Sequence, residues 1–397
     1  MAYDFDRVVE RRNTDSLKFD YAKKRGRPED ILPLWVADMD FPAPPEVLSA
    51  LRERVDHGIF GYSDAADSTY FDTVNHWYQT RFGYTFQESW LTKTPGVVYA
   101  LCVAIRAFTR EGDGVLIQPP VYYPFTESVV ENNRVLAQNV LVEHDGQYSV
   151  DLIDFERKIV EHNVKLFLLC SPHNPVGRVW KREELLAMGD ICLRHEVVVV
   201  SDEIHADFVY PGFQHSVFAS LKPEFEAITI TCTAPSKTFN LAGLQIANIF
   251  IADPSLRKKF RTEVNASGYS QPNVMGLIAS RAAYEHGADW LDELLVYLRG
   301  NLDYLRDFLA RDIPRIRLVE PEGTYLAWLD CRALGLSDAV LNHWITRTAK
   351  LWLDAGTMFG AGGEGFVRLN YACPRATLTQ ALLQLKAAYD SGLPSES

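Results

Sequence analysis

The chain has 397 residues with a formal net charge of -12, 47% of them hydrophobic and 23% charged. That balance belongs to a globular protein of two or more domains and excludes a disordered or fibrous one. Its lysines and arginines are scattered, which argues against a nucleic-acid or anionic-membrane partner.

No apolar run approaches the ~18 residues that a membrane span requires. The opening stretch, "MAYDFDRVVERRNTDSLKFD", is too charged for a signal peptide, so a cytoplasmic protein is expected. The six cysteines (Cys102, Cys170, Cys192, Cys232, Cys331, Cys373) are far apart and lie mostly inside apolar segments such as "LFLLC". They read as reduced, buried thiols rather than disulfides or a zinc site.

In chain order, a proline-rich arm, "ILPLWVADMDFPAPPEV", precedes a region, from about residue 95 to 280, where β-branched runs alternate with amphipathic ones. The strand candidates are "GVLIQ", "VKLFLLCS", "EVVVVSDE", "AITITCT" and "LQIANIFIA". Between them "GVVYALCVAIRAF" and "KREELLAMGDICLRH" read as helices. The alternation predicts an α/β layer around a largely parallel sheet. A long helix, "ADWLDELLVYLRGNLDYLRDFLARD", follows and should stop at Pro314. A smaller α+β segment then ends in "FVRLNYACPRATLTQALLQLKAAYD".

In open α/β sheets ligands gather at the carboxyl ends of the strands. Polar residues break out of apolar runs there: Tyr122 after "VLIQ", Asn174 in "SPHNPVG", Asp202 and His205 in "SDEIH", and Lys237 in "APSK". Each has a plain structural explanation. Asp202 could be an N-cap, Asn174-Pro175 a turn, Tyr122 core, and Lys237 a side chain that snorkels. Together they suit one ligand. A helix start with free N–H groups at Gly96, Val97 and Val98 favours a phosphate, and a lysine can form a Schiff base with an aldehyde. A tyrosine can stack on a flat ring, while a carboxylate can face a ring nitrogen. Pyridoxal 5′-phosphate (PLP) needs those four kinds of partner. At ~4 Å and an effective dielectric of ~20, Asp202 would stabilise a pyridinium N–H by about 4 kcal/mol before desolvation. Ser236 and Thr233 could add hydroxyl contacts to the phosphate.

"SPHNPVGR", "SDEIHADFVY" and "SKTFNLAGLQ", in this order and spacing, resemble fold-type I, aminotransferase-like PLP enzymes. The details look most like the cystathionine β-lyase or cysteine C–S lyase subgroup (MalY/PatB type). The likeness runs from "DRVVERRNTDSLKFD" through "FGYSD" to "FVRLNYACPR". It implies a large domain with a mostly parallel seven-stranded sheet over residues 46–285. A smaller α+β domain would cover 286–397, with an N-terminal arm, 1–45, contributing to it. By the same resemblance Lys237 is the Schiff-base lysine, Asp202 the pyridinium partner, Asn174 the donor to the 3-oxygen and Tyr122 the stacking aromatic. Arg368 would hold the substrate carboxylate, a role suited to its planar fork, with Ala37 also at the substrate. Tyr62 would reach the cofactor phosphate of the neighbouring subunit, which implies a homodimer with shared active sites.

Departures from the wider aminotransferase pattern sharpen the subgroup. His205 stands where many relatives have a tyrosine. Gln245 stands where many aminotransferases have a phosphate-binding arginine, which the C–S lyase subgroup also lacks. Ala234 replaces a common hydroxyl. "GAGGEG", Gly360 to Gly365, fits a dinucleotide fingerprint but precedes a strand-like run, so it reads as a glycine loop leading to Arg368. In "DEIHAD" the acidic and histidine side chains would alternate between the faces of a strand, which disfavours a shared metal. The function expected is PLP-dependent α,β-elimination of cystathionine or a related L-cysteine S-conjugate to thiol, pyruvate and ammonia. The alternatives are a class I/II aminotransferase using the same residues and a PLP-bearing regulatory protein without turnover.

Overall fold

The computed structural model describes residues 2–64 and 68–394. The central sheet has seven strands: β1 Leu91–Thr94, β2 Gly114–Ile117, β3 Val135–Gln138, β4 Val164–Cys170, β5 Val198–Asp202, β6 Thr229–Thr233 and β7 Ala247–Phe250. Their spatial order is β1-β7-β6-β5-β4-β2-β3. The five strands from β6 to β3 run parallel, while β7 is antiparallel to both its neighbours. The strands β2, β4, β5 and β6 are buried almost throughout. Such near-continuous apolar runs are what a sheet covered on both faces requires.

Helix α1, Val97–Phe108, lies against one face and buries Ala100, Leu101, Ala104 and Ile105. Helix α2, Arg182–Arg194, packs on the other with Leu185, Met188 and Cys192. Helix α3, Ala288–Asp312, ends one residue before Ile313 and two before Pro314, because a proline cannot donate the next backbone hydrogen bond and clashes with the preceding turn. The region after it builds a second, antiparallel sheet from β8 Arg317–Val319, β9 Leu326–Asp330, β10 Asp354–Ala355 and β11 Phe366–Asn370, ordered β8-β9-β11-β10. Helix α4, Arg375–Asp390, follows.

Register places the site. In the parallel ladder Cys170 pairs with Asp202 and Asp202 with Cys232, so three strand ends lie in one row. In the second sheet Arg368 pairs with Trp328 on one side and Asp354 on the other. The two sheets meet at the turn after β4. There the Gly177 carbonyl accepts from the N–H groups of Glu322 (2.8 Å) and Gly323 (3.0 Å). Gly177 has φ of +73°, and a Cβ on it would meet the Pro321 Cβ at 2.8 Å, so both conformation and space require glycine there.

The arm connects the same parts. Leu32–Pro33 pairs in parallel with Leu351–Trp352. Further along, Asp40 N–H donates to the Ala372 carbonyl at 3.0 Å.

One local expectation is narrowed and one needs correction. Lys237 sits on a helical turn, Pro235–Thr238, a second turn, Ala242–Leu244, follows, and of the strand candidate "LQIANIFIA" only Ala247–Phe250 is extended. "DEIHAD" is not a strand. The ladder stops at Asp202, and the N–H groups of Ala206 and Phe208 close turns onto Glu203 and His205. The carboxylates are separated by their partners instead. Glu203 accepts from buried His215 (2.9 Å) and Ser201 (2.8 Å), while Asp207 accepts from Trp77 (3.0 Å) and Thr238 (2.7 Å).

Candidate active site

A cavity of about 360 Å³ opens at the carboxyl ends of β4, β5 and β6. Ten of the residues singled out from sequence line it: Ala37, Gly96, Val97, Val98, Tyr122, Asn174, Asp202, His205, Ser236 and Lys237. A larger groove of about 680 Å³, bordered by Arg81, Tyr210, His215 and Arg299, contains none of them.

Lys237 is carried by the turn that follows β6, and its Nζ donates to the Ala37 carbonyl at 2.7 Å. Burial is the main influence on this amine and pulls its pKa down to about 8 against the attraction of Asp38 and Asp202; Arg368 pushes the same way as burial. Near neutral pH a usable fraction is therefore uncharged, which a lysine on the surface would not offer. Asp202 ends β5, and its Oδ1 accepts from the Ile204 N–H at 3.1 Å. Burial pushes its pKa up to about 7, the mark of a carboxylate short of positive charge.

Asn174 belongs to the turn after β4. Its carbonyl accepts from the Tyr122 N–H (3.0 Å), and its Oδ1 accepts from Arg368 Nη1 (3.0 Å). With the oxygen thus used, the side-chain NH2 is left as a donor. Tyr122 is held by that backbone bond, with its ring beside Tyr123. The His205 ring is buried and its Nδ1 has no hydrogen-bond partner among the described residues. Burial, reinforced by Lys237 and Arg368, pushes its pKa well below the ordinary value, so it is a neutral imidazole. At the start of α1, Gly96 is the N-cap and no side chain among the described residues caps the helix, so the first-turn N–H groups are open to a ligand.

Arg368 stands one hydrogen bond behind the cavity wall. It is buried, with Nη2 bonded to the Trp35 carbonyl (2.7 Å) and to Asp354, Nη1 to Asn174, and Nε without a partner among the described residues. Two sequence expectations are not brought together with the rest. Thr233 does not face the cavity; its hydroxyl donates to the Asn248 carbonyl on the neighbouring strand at 3.0 Å, so it is removed from the set of phosphate contacts. Tyr62 is 96% exposed and borders a different hollow with Phe60, Gln271 and Asn273.

Sequence reading missed Tyr99 and Ile204 as cavity walls. Ile204 lies between two residues already selected, so the turn after Asp202 would have given it. The charged groups behind the cavity, Asp38 and Asp354, come from the arm and the second sheet and had no local signal.

The cavity thus presents a primary amine, a buried carboxylate, an amide donor, an aromatic face and a helix start. That set suits a flat anionic ligand bearing a carbonyl and a ring nitrogen. Known proteins agree. The chain is 47% identical over 384 residues to cystathionine beta-lyase PatB of Bacillus subtilis, covering 97% of this chain and 99% of that one. Among solved structures it resembles cystalysin from Treponema denticola, whose crystal contains pyridoxal 5′-phosphate. That match has a TM-score of 0.95, 38% identity and coverage of 98% and 100% of the two chains. It also resembles the PLP-bound C-S lyase of Staphylococcus hominis, with a TM-score of 0.91, 34% identity and coverage of 97% and 98%. Residues 29–385 match the family described as aminotransferase class I and II, and the chain belongs to it.

Proposed function

We propose that the protein is a PLP-dependent carbon–sulfur lyase that cleaves cystathionine or a related L-cysteine S-conjugate by α,β-elimination, giving a thiol, pyruvate and ammonia. The observation that carries this reading is the pairing of a low-pKa amine, Lys237, with an under-compensated buried carboxylate, Asp202, on one cavity. Near-full-length similarity to proteins named for C–S cleavage supports the choice of reaction.

The residues present fit the cofactor. Raising Asp202 from 3.8 to about 7 corresponds to roughly 4 kcal/mol against its ionised form. A pyridinium N–H at ~4 Å would return about as much, so a ring cation balances a charge that the protein alone leaves costly. The His205 Nδ1 without a partner, the Asn174 NH2 and the free N–H groups of Gly96, Val97 and Val98 supply the polar contacts that a ring oxygen and a phosphate need. Ser236 adds a hydroxyl at the same wall.

When bound, PLP supplies an aldehyde for amine exchange and a protonated ring that withdraws electrons from the substrate α-carbon. Lys237 Nζ takes the α-proton, and its lowered pKa keeps it competent as a base. Asp202 holds the ring N–H, Asn174 and His205 fix the 3-oxygen, and Tyr122 covers the ring face. Arg368 receives the substrate carboxylate, its guanidinium oriented by Asn174 and Asp354, with Ala37 closing the arm side. Tyr62, exposed beside Ile59 and Phe60, reaches the phosphate of a second copy in a homodimer with shared sites. Among the described residues no helix is long and apolar enough to cross a membrane.

Incubation with cystathionine tests the reading. Pyruvate, ammonia and thiol should form in equal amounts over many turnovers without a keto acid. Accumulation of pyridoxamine phosphate with a requirement for a keto acid would make the protein an aminotransferase instead.

A further inference from the structure

Behind the Ala37 carbonyl lies a cluster of four charges that the proposed reaction does not use. Arg11 Nη2 donates to Asp38 Oδ2 and Arg11 Nη1 to Asp40 Oδ1, both at 2.7 Å, and Nη1 also reaches the Met39 carbonyl at 3.2 Å. Lys18 is fully buried; its Nζ donates to Asp40 at 2.9 Å and lies 3.6 Å from Asp38. Lys18 and Asp40 are buried and Arg11 and Asp38 partly so; burying a charge costs several kcal/mol unless geometry and hydrogen bonds offset it. A stretch of arm this close to Lys237 therefore carries an expensive arrangement that simple packing does not need.

Two asparagines tie the same stretch to the site. Asn240, three residues after Lys237, accepts from the Met39 N–H (2.9 Å) and donates to the carbonyls of Met39 and Phe41 (2.9 Å each). Asn370, two residues after Arg368, donates to the carbonyls of Val36 (2.7 Å) and Asp38 (2.6 Å). Between these ties the Ala37 carbonyl accepts from both Lys237 Nζ (2.7 Å) and Tyr325 Oη (2.9 Å).

We propose that Asp38 is a positioning residue for Lys237: clasped by Arg11 and Lys18, it fixes the Ala37 carbonyl as the acceptor of the lysine amine and sets a negative charge beside that nitrogen. The proposal rests on the lyase reading, in which Lys237 is the working amine.

The charged and titratable groups around Lys237 are Asp38 on the arm, Asp202 at the end of β5, Arg368 on β11, the neutral His205 and Tyr325, which shares the Ala37 carbonyl. Around Asp38 they are Arg11, Lys18, Asp40, Tyr325 and Lys237 itself. Burial opposes the ionisation of Asp38, but Arg11, Lys18 and Lys237 outweigh it and hold its carboxyl below the ordinary value. Asp38 is thus charged throughout the range in which Lys237 titrates. Its charge favours the protonated amine, and Lys18, 3.6 Å from that carboxylate, offsets part of the charge that the amine meets.

The test is a spectrophotometric pH titration of the resting, cofactor-loaded enzyme, whose visible band follows the proton on the Lys237 nitrogen once it is joined to the cofactor aldehyde and so reads the charge that Asp38 sets beside it. Asp38→Asn should move the midpoint down by roughly 1 pH unit, the scale expected for loss of a near opposite charge. Asp38→Glu should restore it. Lys18→Met, with the arm still held by Arg11, should move the midpoint up. Unchanged midpoints in the folded variants, or a downward move in Lys18→Met, would overturn the proposal and leave the cluster a purely structural clasp. If Asp38→Asn does not fold, the sign of the Lys18→Met shift decides alone. A parent enzyme without any visible band would instead defeat the lyase reading itself.

Discussion

The carboxyl end of the parallel sheet and the arm that covers it build the two walls of one cavity by different means. On the sheet side, Asn174, Asp202 and Lys237 are each delivered by the turn or strand end where an apolar run stops, and parallel register brings those ends into line. On the arm side register reaches only Leu32–Pro33, paired with Leu351–Trp352, and delivers none of the residues at the cavity. Position there depends on polar ties between residues far apart in the chain, such as Asn370 to Val36 and Asn240 to Met39. The sheet side therefore holds its groups through the core, and the arm side through hydrogen bonds that single substitutions can cut.

The largest effect should come from the sheet side. Lys237→Ala should abolish both the visible absorption of the cofactor-loaded protein and lyase turnover, read by spectrum and by pyruvate release. Asp202→Asn should follow, with a large drop in the rate of α-proton exchange with solvent while cofactor stays bound. Asp202 also gives a stability test on the cofactor-free chain. Its pKa is higher folded than unfolded, so folding takes up a proton and stability falls as pH rises from the ordinary carboxylate value to about 7. This one group contributes up to about 4 kcal/mol of that fall, and denaturation of Asp202→Asn at pH 5 and pH 8 should show the slope reduced.

Across the boundary of the two walls, Arg368→Ala should raise KM for the amino acid far more than it lowers kcat, by roughly 2 to 5 kcal/mol in apparent binding. An unchanged KM would remove the carboxylate role. Smaller again, Asn370→Ala should cost about 1 to 3 kcal/mol of stability by leaving two half-buried carbonyls without their donor, measured by denaturant unfolding. Thr233→Val should be smallest, about 1 kcal/mol of stability with no change in cofactor affinity. A weakened affinity would return Thr233 to the phosphate.

The contrast also explains what could be read from the amino-acid order. Lys237, Asp202, Asn174 and Tyr122 were legible because each interrupts a hydrophobic run at the place where a strand must end. The helix start at Gly96 was legible for the same reason. Thr233 is not placed by its sequence position because a residue near a strand end can face either side, and only the pairing of Asn248 with Thr233 fixes which. The "DEIHAD" stretch was read as extended because it continues a valine run, whereas burial of Glu203 against His215 and Ser201 folds it into turns. The clasp of Arg11, Lys18, Asp38 and Asp40 left no trace in local pattern. Scattered charges in a polar arm look solvated until the chain folds back on itself.

Cys170 has a chemical consequence beyond its place in the ladder. It lines the cavity, yet burial and the nearby Asp202 push its thiol pKa far up. Its sulfur stays protonated and a poor nucleophile. A pocket that sheds sulfur compounds at every cycle thus keeps a cysteine in its wall that does not add to electrophilic by-products. Alkylating reagents should accordingly leave the pocket untouched at neutral pH.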